Sequence, residues 1–102
     1  MDTIAMTTRS VSKARSLVTD QLYDQLVRRV LHDHPQFDRP EASRIMDEGL
    51  GFLDRCAVEG PGQEQKPTKR EDIAWHTFLL YTKKYAGFCQ KLAGRFIHHA
   101  PA

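Results

Sequence analysis

Apolar residues recur at helical spacing in three stretches of this chain. The first stretch, TDQLYDQLVRRVLHDHP, has an apolar face made of Leu22, Leu26, Val27, Val30 and Leu31. Thr19 can cap the N-terminus of this helix through its side-chain oxygen. Pro35 should end the helix at or before His34, because the residue before a proline avoids the helical conformation. The pattern therefore predicts an amphipathic helix directly after Thr19.

The second stretch begins at DRPE. Asp38 can accept hydrogen bonds from the first-turn amides, Pro40 is tolerated in the first turn, and Glu41 can reach back to the cap. The apolar stripe that follows comprises Ala42, Ile45, Met46, Leu50, Leu53 and Ala57. Gly49 and Gly51 weaken this helix by roughly 1 kcal/mol each relative to alanine. The segment EGPGQEQKP then predicts a loop.

The third stretch opens with the capping box TKRE, Thr68 to Glu71, and can be interpreted in two ways. In one continuous helix, His76 and Cys89 would lie roughly 20 Å apart along the axis. If the chain bends near residues 81 and 82, Thr82 becomes the N-cap of a further helix that Gly94 ends. We favour the bend, because Thr82 is a poor interior residue and a good cap. His76 and Cys89 would then lie level with each other across a hairpin.

The predicted fold class is all-α, a small bundle of three to four helices with a C-terminal helical hairpin. Residues 1–16 are expected to form a flexible arm, and residues 17–102 a single helical domain. The 102 residues are 40% hydrophobic and 27% charged, as is usual for a globular protein. The net charge of +2 does not by itself imply a nucleic-acid or membrane partner. No segment has the length and apolarity of a signal peptide or membrane span, so we expect a cytoplasmic protein with Cys56 and Cys89 as thiols.

Chemically distinctive side chains are concentrated in DIAWHTFLLYTKKYAGFCQKLAGRFIHHAP, residues 72–101. One face of the last helix gathers Tyr85, Phe88, Cys89, Leu92 and Phe96, which is typical of a packed aromatic core. Imidazole and thiolate groups also form the ligand set that suits Zn, Fe or Cu ions. The candidate metal ligands are His76, Cys89, His98 and His99. Adjacent His98 and His99 usually point apart, so we expect at most one of them to join the site.

Three further residues, Asp72, Trp75 and Tyr85, would lie behind these ligands. Asp72 is one turn before His76 and could orient its ring. The spacing lacks the paired motifs of established metal sites, so a purely structural role for the same residues stays open. We assign no catalytic residue and no organic cofactor.

The segment from Asp72 to Pro101 resembles a motif of small uncharacterised actinobacterial proteins, roughly VDxxWHTFxLxTxxYxxFCxxxxGxFIHHxP. More distantly it resembles the N-terminal region of plant glycine-rich domain-containing proteins. The matching positions are Asp72, Trp75, His76, Tyr85, Cys89, Gly94 and His99. Phe78 replaces a second histidine of the plant pattern, which removes one candidate ligand. Those relatives often carry proline where this chain has Thr82, which implies a helix start there. The resemblance implies a site and brings no established activity.

Other candidates are weaker. His32 and His34 are interpreted as part of the solvated end of the first helix, and Cys56 as part of the core. A Cys89–His76 nucleophile and base would lack an orienting group and an oxyanion donor. The basic set Lys66, Lys69, Arg70, Lys83, Lys84, Lys91 and Arg95 is interpreted mainly as a solvated face.

The sequence favours a small non-catalytic interaction or accessory protein with a protein partner, in which a His/Cys structural metal site is an open question. The alternative is a metal-dependent enzyme or metal-handling protein that uses His76, Cys89 and His98 or His99. Nucleic acid binding through the Lys83, Lys84, Lys91 and Arg95 face is a weaker third hypothesis, and no membrane partner is expected. A homo-oligomer stays open.

Overall fold

The computed structural model describes residues 12–60, 62 and 66–99, and within these ranges it contains five helices and no strand. The helices are α1 Lys13–Ser16, α2 Asp20–Asp33, α3 Arg39–Glu59, α4 Lys69–Leu79 and α5 Thr82–Ala93. The all-α prediction is confirmed. None of the described helices combines the length and the apolarity needed to cross a bilayer.

The helix starts follow local capping chemistry. Thr19 Oγ1 accepts from the backbone N–H of Leu22 at 3.1 Å, and Asp38 Oδ1 accepts from that of Glu41 at 2.9 Å. Thr68 and Glu71 form both hydrogen bonds of the predicted capping box. One detail is wrong: the Glu41 side chain does not reach back to its cap. Its carboxylate is instead held by the guanidinium groups of Arg44 and Arg70.

Of the predicted flexible arm over residues 1–16, residues 1–11 lie outside the described residues, and residues 12–16 form the cap and the whole of α1. Ser12 caps α1, and its hydroxyl donates to Asp54 on α3. Asp54 Oδ1 also accepts from the backbone N–H of Ala14 at 2.8 Å. Ala14 and Val18 are buried in the core. A carboxylate on α3 therefore fixes a segment whose own sequence shows no apolar periodicity.

Helix α3 lies at the centre of the fold and makes its largest interface with α4. Gly49 explains how closely the two helices approach, because a Cβ at position 49 would lie only 2.3 Å from Ala74 Cβ. Gly51 differs, since a Cβ there would meet nothing within 4 Å. The core that these helices enclose includes Leu26, Val30, Ile45, Met46, Phe52, Leu53, Trp75, Phe78, Tyr85 and Ile97.

The chain bends between α4 and α5, as predicted, but the cap is one residue earlier than expected. Tyr81 is the N-cap, with φ −99° and ψ 67°, and no side chain caps the helix. Its carbonyl accepts the first helical hydrogen bond, from the N–H of Tyr85 at 2.8 Å. The Tyr81 side chain packs partly against the core. Thr82 is therefore the first helical residue and not a cap.

Gly94 ends α5 in the left-handed conformation, with φ 71°. This conformation is strained for residues that carry a Cβ, and glycine adopts it readily. The turn sends residues 95–99 back over the α4–α5 hairpin.

Candidate functional site

A chain of buried hydrogen bonds connects α4, α5 and the returning tail. The indole Nε1–H of Trp75 donates to the hydroxyl oxygen of Tyr85 at 2.8 Å. The Tyr85 hydroxyl in turn donates to the carbonyl oxygen of Ile97 at 2.6 Å. All three residues are at most 2% exposed. We call residues 95–99, held in this way, the C-terminal clasp.

Burial governs the chemistry of the Tyr85 hydroxyl. Desolvation is the main cause that raises the pKa of this phenol above its ordinary value. The hydrogen bond from Trp75 acts in the opposite direction and is outweighed. The hydroxyl therefore stays protonated, and its one hydrogen is used for Ile97.

Cys89 lies in the same core and is fully buried. Desolvation is the main cause that raises the pKa of its thiol, while the nearby Ile97 backbone and Tyr85 side chain lower it by less. Because the thiolate is the nucleophile and the metal ligand, a raised pKa makes this sulfur poor at both tasks. Its position indicates a packing role beside the clasp.

The end of the clasp is fixed by His99. Its Nε2 lies 2.6 Å from Asp72 Oδ1, where the tautomer with a hydrogen on Nε2 donates to the carboxylate. The edge of its ring also meets Trp75, with ring centroids 4.8 Å apart. Asp72, predicted to orient His76, holds His99 instead. The residue pair therefore joins the first turn of α4 to the last described residue of the tail.

The structure does not bring the four predicted metal ligands together. Cys89 is buried, whereas His76 and His98 are exposed. His98 packs against Phe96 with ring centroids 4.8 Å apart, while the His99 centroid is 6.2 Å from that of His76. In the part of the chain that the structure describes, no group of three or more His, Cys, Asp or Glu side chains is placed to hold a metal ion.

Sequence reasoning missed Ile97, which is fully buried and supplies the carbonyl at the centre of the clasp. A single apolar residue between Phe96 and two histidines carries no periodic signal. Only the left-handed turn at Gly94, which redirects the chain, indicates that a residue shortly after it enters the core.

The basic residues proposed as a face are divided by the structure. Arg70 forms a two-pronged pair with Glu48, at 2.9 and 3.0 Å, and also contacts Glu41. These carboxylates raise the pKa of Arg70. Arg95 donates to the Cys56 carbonyl at 3.0 Å. Both arginines are therefore engaged in hydrogen bonds within the fold.

These features define a small all-α protein whose C-terminal segment is clasped to a helical hairpin by buried side-chain hydrogen bonds. A family model described as UCP032817-like matches residues 12–102, and the chain belongs to this family. No curated protein and no solved structure matches the chain significantly.

Proposed function

We propose that this protein is a non-catalytic helical interaction or accessory protein, in which the aromatic motif of residues 72–99 stabilises the fold. The observation that carries the proposal is the Tyr85 hydroxyl, which accepts from Trp75 and donates to Ile97. A buried hydroxyl with both neighbours satisfied is a structural group, because it has no free hydrogen for a substrate.

The thiol and the imidazoles of the motif support the same conclusion. Cys89 is buried and its pKa is raised by that burial, so little thiolate is available for attack. His76, the candidate base, is on the surface. A nucleophile and its base need to lie within hydrogen-bond reach of each other. This arrangement favours binding over covalent catalysis.

Exposed apolar side chains provide surface for a protein partner. Val58 is 87% exposed, Leu80 is 44% exposed and Phe96 is 41% exposed. Phe96 is further held by an edge contact to Tyr85, with centroids 5.3 Å apart. Preordered aromatic side chains bind with a small loss of conformational freedom, which suits them to interfaces.

The cellular location of the protein, its partner and its relation to other proteins are part of the same proposal. We place it in the cytoplasm with a protein partner, and self-association is one form that the interaction could take. The relation of residues 72–101 to actinobacterial proteins and plant glycine-rich domain-containing proteins is also part of this proposal.

The test is quantitative co-purification from cells that express the chain naturally, followed by reconstitution from purified components. We expect one protein, or a second copy of this chain, to bind stoichiometrically. Phe96→Asp should weaken that complex at a temperature where circular dichroism shows the variant to be folded, and Lys66→Asp is the matched surface control. If the purified full chain binds no protein and does not self-associate, the proposal is wrong.

The alternative of a metal-handling protein has one geometric observation in its favour. The imidazoles of His76 and His99 have centroids 6.2 Å apart, and the carboxylate of Asp72 contacts His99. Elemental analysis of untagged protein tests it. About one equivalent of metal that is lost in His76→Ala would replace the interaction proposal. Less than about a tenth of an equivalent, with melting unchanged by chelator, would remove the alternative.

A further inference from the structure

An open groove of about 310 Å³ runs between α5 and the segment that joins α1 to α2. Leu17, Leu22 and Phe88 form its apolar floor, and Phe88 packs on Phe78 beneath it. The exposed residues Lys83, Lys84 and Lys91 also line the groove and form its rim. The groove thus combines an apolar base with a cationic edge and contains no acidic side chain among its lining residues.

The three lysines form no ion pair with any residue that the structure describes. From residue 73 to residue 102 the sequence contains neither Asp nor Glu. Asp20, which follows the lining residue Thr19, pairs with Arg15 at 3.4 Å. The positive charge at the rim is therefore left without an internal counter-charge in the described part of the fold.

Two of these lysines also lie where positive charge is unfavourable. Lys83 and Lys84 lie in the first turn of α5, which contains no acidic residue. The N-terminus of a helix carries a partial positive charge, so cations there are unfavourable and an anion is stabilised. A carboxylate brought to this end of the groove would gain from the lysines and from the helix together.

Gly87 provides a second, independent observation. It lies in the interior of α5 and is exposed, where glycine weakens a helix relative to alanine. A Cβ at position 87 would meet nothing within 4 Å, and the helical backbone there needs no positive φ. Nothing inside the described fold requires a glycine. The missing side chain instead leaves the groove open between Lys84 and Lys91.

We propose that this groove binds an acidic amphipathic helix of a protein partner, an inference that rests on the interaction function proposed above. Lys84 and Lys91 are seven residues apart, about 10.5 Å along the axis of α5. Two carboxylates seven residues apart on a bound helix match that spacing. Apolar side chains between them enter above Gly87 and contact Phe88, as in other helix-in-groove complexes.

The groove fits a protein helix better than a nucleic acid. A phosphate backbone is recognised by an extended cationic track, and Arg70 and Arg95 are held elsewhere. An apolar floor contributes nothing to phosphate contacts, whereas it stabilises leucine or phenylalanine side chains of a peptide.

The test uses the purified full chain and a helical peptide of about 14 residues, with two glutamates seven positions apart and leucines between them on the same face. A peptide of the same composition in scrambled order is the control. We expect two-dimensional NMR to show shifts in the amides of Gly87, Phe88 and Lys91 with the first peptide only. The charge reversal Lys84→Glu with Lys91→Glu should weaken binding by about tenfold or more.

Substitutions of Gly87 test the proposed binding site more directly than the lysine variants do. Gly87→Ala should raise the melting temperature by about 4 to 8 °C, because alanine favours the helix, and should weaken the peptide complex. Gly87→Leu should abolish the complex. Gly51→Ala is the matched control, since its site in α3 is also open and lies outside the groove. It should raise the melting temperature and leave peptide binding unchanged.

Equal binding of the two peptides would overturn the inference. So would binding that survives Gly87→Leu, or a preference for oligothymidylate or phosphatidylserine vesicles over the acidic peptide. The same variants applied to the natural partner separate the two proposals. If that partner binds Gly87→Leu as well as the original chain, the groove is not its site and the interaction function stands. If no protein partner exists, both proposals fail.

Discussion

The face built by α2, α3 and α4 and the face built by α5 carry positive charge in different ways. On the first face, arginines are matched to carboxylates across and within helices. The pairs include Arg28 with Asp24, Arg29 with Asp33, Arg44 with Glu41, Arg55 with Glu71 and Arg70 with Glu48. On the second face, the lysines of α5 lie beside an apolar groove and pair with no described carboxylate.

This contrast separates two ways in which the fold uses polar groups. The planar guanidinium of Arg70 forms two parallel hydrogen bonds to Glu48, so its donors are used within the fold. The ammonium groups on α5 have no such partner and remain able to bind an external anion. Beneath them, the clasp places the polar atoms of Trp75 and Tyr85 in the core. On the α5 side, the buried polar groups are therefore hydrogen-bonded within the fold, whereas the surface ammonium groups are available to an external anion.

The largest expected effect tests whether the Tyr85 hydroxyl stabilises the core as the shared hydrogen-bond partner of Trp75 and Ile97. Tyr85→Phe leaves the indole N–H of Trp75 and the carbonyl of Ile97 without this partner. We expect the free energy of unfolding to fall by about 2 to 4 kcal/mol, measured by chemical denaturation. Tyr81→Phe is the matched control, because its hydroxyl contacts Arg29 at the surface. It should change stability by at most about 0.5 kcal/mol. Equal losses in the two variants would contradict the clasp.

The next effect concerns the helix interface behind the arginine face. Gly49→Ala places a Cβ 2.3 Å from that of Ala74, so α3 and α4 must separate. We expect thermal and chemical denaturation to show a loss of about 1 to 3 kcal/mol. Gly51→Ala should instead stabilise the protein by up to about 1 kcal/mol. The two substitutions, two residues apart on one helix, should therefore change the free energy of unfolding in opposite directions. A change in the same direction would show that α3 and α4 can accommodate a Cβ at position 49 at little cost.

Alkaline pH should lower the free energy of unfolding through two buried groups of α5. The folded pKa values of Tyr85 and Cys89 are raised, mainly by burial, above the ordinary values of 10.0 and 9.0. The unfolded chain therefore releases protons that the native core retains. The stability that these groups contribute is present below pH about 9 and is lost as the pH rises further, by up to about 1.4 kcal/mol per pH unit and group.

Chemical denaturation at a series of pH values measures this slope. Cys89→Ala should reduce the slope, since alanine does not titrate. A stability that is flat up to pH about 11 would contradict the burial of these two groups.

The smallest effect compares the two kinds of surface charge directly. Arg70→Met removes the hydrogen bonds to Glu41 and Glu48 and should lower the melting temperature by on the order of a few degrees at low salt. Added salt should shrink the difference, because it screens exposed pairs. Lys84→Met should leave melting unchanged at high salt and raise it slightly at low salt, because its cation lies at the positive end of α5. If the lysine variant loses as much as the arginine variant, the two faces do not differ as described.

Much of the fold could be predicted from the sequence because its signals are local. The caps at Thr19, Asp38 and Thr68 and the stop at Gly94 each act through hydrogen bonds or backbone preferences within a few residues. The bend at residue 81 could also be predicted from the neighbouring residues. The predicted cap, Thr82, is one residue late, because Tyr81 takes the N-cap position without a side-chain hydrogen bond and so leaves no capping signal in the sequence.

The candidate site could be predicted only in part, because its geometry depends on distant contacts. The motif residues do gather, as the pairs Trp75 with Tyr85 and Asp72 with His99 show. Their roles depend on which groups the tail reaches, and the return path after Gly94 is set by burial of Ile97. Likewise, Ser12 and Ala14 are ordered by Asp54, about 40 residues away in sequence, at a distance no periodic pattern reports.

The clasp has a consequence for how the chain folds during its synthesis. The indole of residue 75 emerges from the ribosome well before the phenol of residue 85, and the carbonyl that completes the network belongs to residue 97. In a nascent chain that ends before residue 97, the Tyr85 hydroxyl lacks its acceptor and the core lacks Ile97, even where the helices have already formed. Native packing of this protein therefore waits until the segment that carries residue 97 has joined the helices, and shortened products that lack the clasp should be recognisable to proteases as open molecules.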